Sequence, residues 1–359
     1  MKISVLTNNS CPNSKAFNCP LLASKPCFEE KGFHLDFHWK ITDNTFKCDT
    51  LFINSNVFRT SWKSDSCKIF KFLESARARD LKILWFDTTD STWCTQFAVM
   101  PYVDLFFKSQ VYADKKQYLT PFRTGRIFTD YFDSLYKTGE KEETFPLPAE
   151  NDLGKLRLSW NTCFENYNES RFGLPARIKQ KARPLLSSLL REKLSITFTP
   201  PNKHRNVKVS CRLGLSHSRP AVVAHRKTVI KIMDEMNVPT SKIRLREYFS
   251  ELRNSQIGVS PFGVGEITLR DFEIIICGAV LVKPDMSHMQ TWPALFQPGE
   301  TYIPHKWDLS DLKEKLEELT GNTELRIRLA MDAQKIYKDA VSPAGLANFA
   351  DRLMGIIMT

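Results

Sequence analysis

Apolar and polar positions change period along the chain, and the changes mark out alternating strands and helices. Short apolar runs at 2–6, 33–39, 49–53, 81–86 and 103–108 have the length and the branched or aromatic content of buried strands. Residues 68–79 carry apolar positions at helical spacing. A second series begins near Ile196. Residues 207–213 read as a strand, 220–236 as a helix with Pro220 in its first turn, and 245–254 as a short helix. Strands follow at 257–260, 279–282 and 301–304. The stretch 156–193 reads as mostly helical, and 309–358 as helices broken at Asn322 and at Ser342 with Pro343. Residues 138–154 are polar, contain Gly and Pro, and read as a surface loop or linker. Alternation of this kind, repeated in two halves, predicts an α/β fold of two Rossmann-like domains facing a cleft. The expected division is 1–190, 191–340 and a C-terminal helix over 341–359. Ligands of open α/β sheets bind beyond the carboxyl ends of the strands, so facing sheets can hold two substrates in one cleft.

The chemistry is densest over residues 257–285, IGVSPFGVGEITLRDFEIIICGAVLVKPD. This reads as strand, glycine loop, helix, strand. Gly263 and Gly265 permit a tight turn and a close approach to a ligand. A helix is expected from about Glu266 to Cys277, with Ile267, Phe272, Ile275 and Ile276 on its apolar face and Glu266, Arg270 and Glu273 on its polar side. Gly278 is the expected helix stop. Such a unit presents backbone N–H groups and a helix N-terminus to phosphate. Here an arginine for phosphate and carboxylates for ribose hydroxyls stand beside it. A nicotinamide dinucleotide site fits less well: its third glycine would fall at Thr268, although Asp285 lies near the usual distance.

The pattern Ser260-Pro261-Phe262-Gly263, then Arg270, Glu273 and Cys277-Gly278-Ala279-Val280-Leu281-Val282, resembles the donor-binding segment of GT-B glycosyltransferases. The run KPDMSHMQTWPALFQPGETYIPHKWDLSDL resembles bacterial members of the CgeB-like and exostosin-like kind. The similarity is strongest over 245–312 and weaker over 81–133, about a third of the chain. It implies the GT-B architecture, with an acceptor domain first and a donor domain second, and transfer from a nucleotide-sugar. Glu273 would hold the donor ribose and Arg270 the leaving phosphate. Two departures stand out. Glu266 and Glu273 are seven residues apart where many retaining members space two glutamates by eight, and Val280 replaces a proline. The stereochemical outcome is therefore open.

Other residues extend the candidate set. Arg212 and Arg219 flank the end of the 207–213 strand and are further donor-phosphate candidates, while His225 and Arg226 lie inside a helix and read as structural or surface groups. Gly263, Gly265, Glu266 and His288 complete the expected donor site. Asp87 and Asp90 follow the apolar strand 81–86, where an acceptor-activating base would sit; Asx-turn and capping roles are the alternative. Trp93 and Tyr102 are near enough in sequence to stack on a sugar, with core packing as the favoured alternative. No Asp-x-Asp pair or Cys-x-x-Cys pair occurs, so no essential metal is expected, and no cofactor beyond the nucleotide-sugar.

Composition narrows the partners. The 359 residues carry a formal charge of +11, which suits phosphorylated ligands, an anionic membrane face or nucleic acid. No dense Lys/Arg block appears, which argues against nucleic acid. Nine scattered cysteines read as reduced thiols of a cytoplasmic protein. The expected function is glycosyl transfer to a cell-surface glycan or lipid-linked saccharide, with peripheral contact at the inner membrane face. A nicotinamide-dependent oxidoreductase and a non-catalytic nucleotide- or glycan-binding protein are the alternatives.

Overall fold

The computed structural model describes residues 1–93, 96–169 and 194–358. The first half contributes β1 (Lys2–Leu6), β2 (His34–His38), β3 (Thr50–Asn54), β4 (Lys82–Asp87), β5 (Leu105–Lys108), β6 (Gln110–Tyr112) and β7 (Leu156–Leu158). Six of these form a parallel sheet in the order β2-β1-β3-β4-β5-β7. The strands are buried as the sequence pattern requires: β3 is buried at every position, and β4 at all but its first. Chain direction across the sheet reverses between β1 and β3, which makes a crevice at their carboxyl ends.

The second half contributes β8 (Val207–Ser210), β9 (Ser255–Val259), β10 (Val280–Pro284), β11 (Met289–Thr291) and β12 (Tyr302–His305). Four of these form a smaller parallel sheet, β12-β10-β9-β8. Helices Pro220–Glu235, Leu245–Asn254 and Leu269–Ile276 connect its strands. Each half is thus a Rossmann-like α/β layer, and the two face each other across a cleft. The fold class expected from the periodicity is the one observed.

Several contacts tie the halves together. β6 of the first half pairs antiparallel with β11 of the second. The helices Ile127–Tyr136 and Pro220–Glu235 pack together, with the Phe132 ring stacked on buried His225 at 4.0 Å between centroids. The last helix, Pro343–Met358, returns to the first half. Its Phe349 meets Trp160 at 4.9 Å and Phe164 at 5.6 Å, Asp351 pairs with Lys31, and the Ile357 carbonyl accepts from Lys82 Nζ. No helix among the described residues is long and apolar enough to cross a membrane.

Three sequence expectations change. Residues 156–158 form strand β7 against β5, not the start of a helix, because Leu156 completes the apolar face of the sheet; the helical part expected at 170–193 lies outside the described residues. Of the loop expected over 138–154, residues 138–149 have no regular structure while Glu150–Lys155 form a 3-10 helix, and the loop bridges the halves: buried Glu140 and partly exposed Glu143 pair with Arg219 of the second half. The helix expected from Glu266 begins at Leu269, because Thr268 and Asp271 form a reciprocal capping box. Glu266 is consequently a loop residue. Gly278 ends this helix as expected, with φ of +74°.

Candidate active site

A cavity of about 710 Å³ lies between the carboxyl ends of the two sheets. The first half lines it with the segments after β1 (Cys11–Asn13), β3 (Ser55, Asn56) and β4 (Thr88–Ser91), and with Gly125 and Arg126. The second half contributes His217, Arg226 and the run from Gly263 to Gly265 with Ile267 to Leu269. This is the position that a pair of facing open α/β sheets reserves for ligands.

Charge in the cleft is one-sided. Its described lining includes Arg59, Arg126 and Arg226 and a single carboxylate, Asp90. Arg126 is the most telling of these. Its Nε and one terminal nitrogen are buried and make no hydrogen bond. Burial, and then repulsion from Arg219, pulls its pKa below the ordinary arginine value. Arg226 donates to the carbonyls of Gly214 at 2.8 Å and Phe262 at 3.3 Å, while its buried Nε has no partner. Burial and then Arg270 lower its pKa in the same way. His217 accepts from the Arg219 N–H at 3.1 Å and leaves Nε2 buried and unpartnered. Burial first, then Arg226, Arg219 and Arg126, depress the His217 pKa. Buried donors without partners are rare because each costs about 1–3 kcal/mol. Several crowded around one space, and repelling one another, describe a site completed by an anion.

The glycine loop borders this cluster. Gly263 donates its N–H to the Gly265 carbonyl at 3.0 Å. A side chain at Gly263 would have room, with the Arg226 guanidinium 3.5 Å away. At Gly265 a Cβ would collide with the backbone carbonyl of Asp90, so this glycine is required by close approach of the two halves. Both glycines line the cleft, as the sequence suggested.

No protein-family model matches the chain, and no curated protein matches it by sequence. Solved structures resemble it at low identity. An alpha-glucosyltransferase in complex with UDP and a 13-mer DNA is 12% identical over the whole of both chains, with a TM-score of 0.43. Anabaena HepE in complex with UDP-glucose is 9% identical over 100% of this chain and 99% of its own, with a TM-score of 0.47. Sucrose-phosphate synthase from Thermosynechococcus elongatus is 10% identical over the same shares, with a TM-score of 0.43. At these scores the likenesses assign neither activity nor ligand; the two-domain layout rests on the sheets themselves.

The sequence candidates separate on inspection. Asp90 lies in the cleft, exposed, with Oδ1 accepting from Asn13 Nδ2 at 2.6 Å. Asp87 does not face it. Its carboxylate pairs with Lys108 Nζ at 2.9 Å, both side chains fully buried, and caps the turn through the Thr89 N–H. A carboxylate held this way by a buried cation is a structural element rather than an accessible base. Arg212 also turns away: its Nε lies 3.0 Å from both Glu251 oxygens. Arg219 is committed to Glu140 and Glu143 and to the Thr124 carbonyl. Both arginines therefore serve ion pairs, Arg219 between the halves.

Glu266 is completely buried and reaches the first half. It accepts from the Thr92 hydroxyl at 2.5 Å and the Thr92 N–H at 3.1 Å, and lies 3.6 Å from His288 Nε2. Burial alone would raise its pKa, but the His288 and Thr92 interactions outweigh it and hold the carboxyl below its usual value. Neither Glu266 nor His288 belongs to the described cleft lining, and both ring nitrogens of His288 are buried without a hydrogen-bond partner. Arg270 and Glu273 are not part of the described cleft lining, although Arg270 lies near enough to the cleft residue Arg226 to depress its pKa. Glu273 is 8% exposed and accepts from the Tyr248 hydroxyl at 3.0 Å, and Arg270 keeps a buried Nε without a partner. Sequence reading missed Arg126, which follows a Thr-Gly turn with no motif around it, took Arg226 for a structural or surface group, and gave His217 no role. Among the described residues no three His, Cys, Asp or Glu side chains are grouped to hold a metal ion.

Proposed function

We propose that the protein is a glycosyltransferase that moves a sugar from a nucleotide-activated donor to a saccharide acceptor. The observation that carries this reading is the set of buried, unpartnered donors of Arg126, Arg226 and His217 beside the Gly263 loop. A diphosphate seated there satisfies those donors, relieves the repulsion among the cations and is stabilised as it becomes the leaving group. The resemblance of the 257–285 segment to a donor-binding unit supports the same placement.

The remainder of the cleft suits an acceptor. Trp62, Trp93 and Phe145 give it an aromatic wall on the first-half side, with the amides of Asn13, Asn56 and Gln96 among them. Aromatic faces take the C–H faces of a sugar ring, and the amides take its hydroxyls. Asp90 is the carboxylate placed to accept the acceptor proton, with Asn13 fixing its orientation. A cell-surface glycan or lipid-linked saccharide, met at the cytoplasmic face of a membrane, is the acceptor class that the basic charge favours.

Calorimetry with UDP, GDP, CMP, ADP and NAD tests the reading directly. A nucleoside diphosphate or CMP should bind, and Arg126→Ala should weaken it about 10- to 100-fold while leaving the bare nucleoside little changed. Binding of NAD alone, or equal loss for nucleotide and nucleoside, would overturn the donor assignment.

A further inference from the structure

We infer that Glu266 is a positioning residue, a buried latch that fixes the Asp90 loop of the first half against the glycine loop of the second. The inference rests on the proposed reading only for its kinetic consequence. The geometry itself is independent of any ligand.

The contacts form one connected path. From the second half, Lys283 Nζ donates to the Glu266 carbonyl at 2.7 Å and pairs with Asp271 at 2.6 Å. Asp271 in turn accepts from the Ser260 hydroxyl at 2.5 Å and the Thr268 N–H at 2.9 Å. The glycine loop is therefore pinned at both ends beneath the cleft. From the first half, Thr92 gives Glu266 both its N–H and its hydroxyl. Gln110 Nε2 lies 3.4 Å from the same carboxylate and donates to the Asp90 carbonyl at 2.5 Å. That carbonyl is the group against which Gly265 has no room for a side chain.

Two strands carry the latch across the interface. Gln110 opens β6, and His288, 3.6 Å from Glu266, stands immediately before β11, the strand that pairs with β6. The carboxylate thus lies where the interdomain ribbon, the Asp90 loop and the glycine loop meet. A fully buried carboxylate of the second half whose oxygens accept from Thr92 and Gln110 of the first is costly to leave without those partners. Its retention there is explained by what it fixes: the separation between Asp90, the one carboxylate of the described cleft lining, and the loop beside the cationic cluster. Displacing a reacting group by about 1 Å can cost about 100-fold in rate.

The experiment uses Glu266→Gln, which keeps shape and loses charge, with Thr92→Val as a milder variant that removes only the hydroxyl. Folding is checked by circular dichroism. Hydrogen exchange is then followed at 110–112 and 289–291 in the absence of any ligand. Glu266→Gln should exchange at least tenfold faster there, Thr92→Val should do so less, and the double variant should not exceed Glu266→Gln, since both act on one contact. With the nucleotide-sugar that the calorimetric panel identifies, kcat should fall at least tenfold while the nucleotide Kd stays within about threefold. Unchanged exchange in folded Glu266→Gln, additive effects in the double variant, or a nucleotide Kd that rises in step with the fall in kcat would overturn the latch. If wild type binds none of the nucleotides, the proposed function fails while the exchange arm still decides the latch.

Discussion

Arg126 and Asp90 face the same cavity with opposite requirements. The arginine is buried with donors unspent, so its stability in the unliganded protein is poor and its gain on meeting an anion is large. Asp90 is exposed and oriented by one amide, so it can meet a substrate hydroxyl without disturbing the fold. Asp90→Asn should therefore leave nucleotide affinity unchanged and lower kcat by about 10²–10⁴-fold, the range of a lost general base. Steady-state kinetics beside calorimetry checks this, and retained turnover would remove Asp90 from the chemistry. Asp87→Asn supplies the contrast. It breaks a buried pair with Lys108 and should cost about 3–5 kcal/mol of stability, visible in denaturant unfolding, where Asp90→Asn should show almost nothing.

At the scale of elements, the glycine loop makes the sharpest distinction. Gly263 has space beside it and Gly265 has none. Gly265→Ala must push the Asp90 backbone away and should destabilise the protein by about 1–3 kcal/mol, whereas Gly263→Ala should change the melting temperature little. Equal melting temperatures would mean that the two loops do not touch in solution. The same loop shows how much was legible beforehand. Strands β3 and β4 announce themselves because burial on both faces leaves apolar runs, LFI and ILWF. The Leu245–Asn254 helix does so through its amphipathic period. The start of the next helix was misplaced by three residues, since Thr268 and Asp271 act as a cap that periodicity does not register. Ribbon β6–β11 was invisible, being two three-residue strands about 180 positions apart. The cleft was placed correctly by topology. Of its contents Asp90, Gly263 and Gly265 were foreseen and the cationic side chains were not, because a side chain's partner is a property of the fold: nothing local tells Arg219, spent on Glu140 and Glu143, from Arg126, which is not.

Across the whole molecule, the join between the halves carries buried imidazole that must stay neutral. His225 is stacked on Phe132 of the opposite half, with neither ring nitrogen hydrogen-bonded. Burial, then the neighbouring His305, pushes its pKa down to about 3. His305 is itself pushed down to about 4, chiefly by burial. Both values lie below the ordinary 6.5, so the unfolded chain binds protons that the folded one refuses. Their contribution is complete above pH 6.5 and is lost as pH falls from there toward the folded values. At pH 5 each histidine should have cost about 2 kcal/mol, together a large part of the stability of an ordinary domain. Glu266 follows the same sign, but its window opens only below the ordinary glutamate value of 4.5, so the two effects separate on the pH axis. Melting temperatures at pH 7.5, 6 and 5 should fall steeply for wild type and about half as steeply for His225→Leu, which removes one titrating group and keeps an apolar contact with Phe132. A wild-type curve that is flat between pH 7 and 5 would show that these histidines are solvated and that the Phe132–His225 stack between Ile127–Tyr136 and Pro220–Glu235 is open to water.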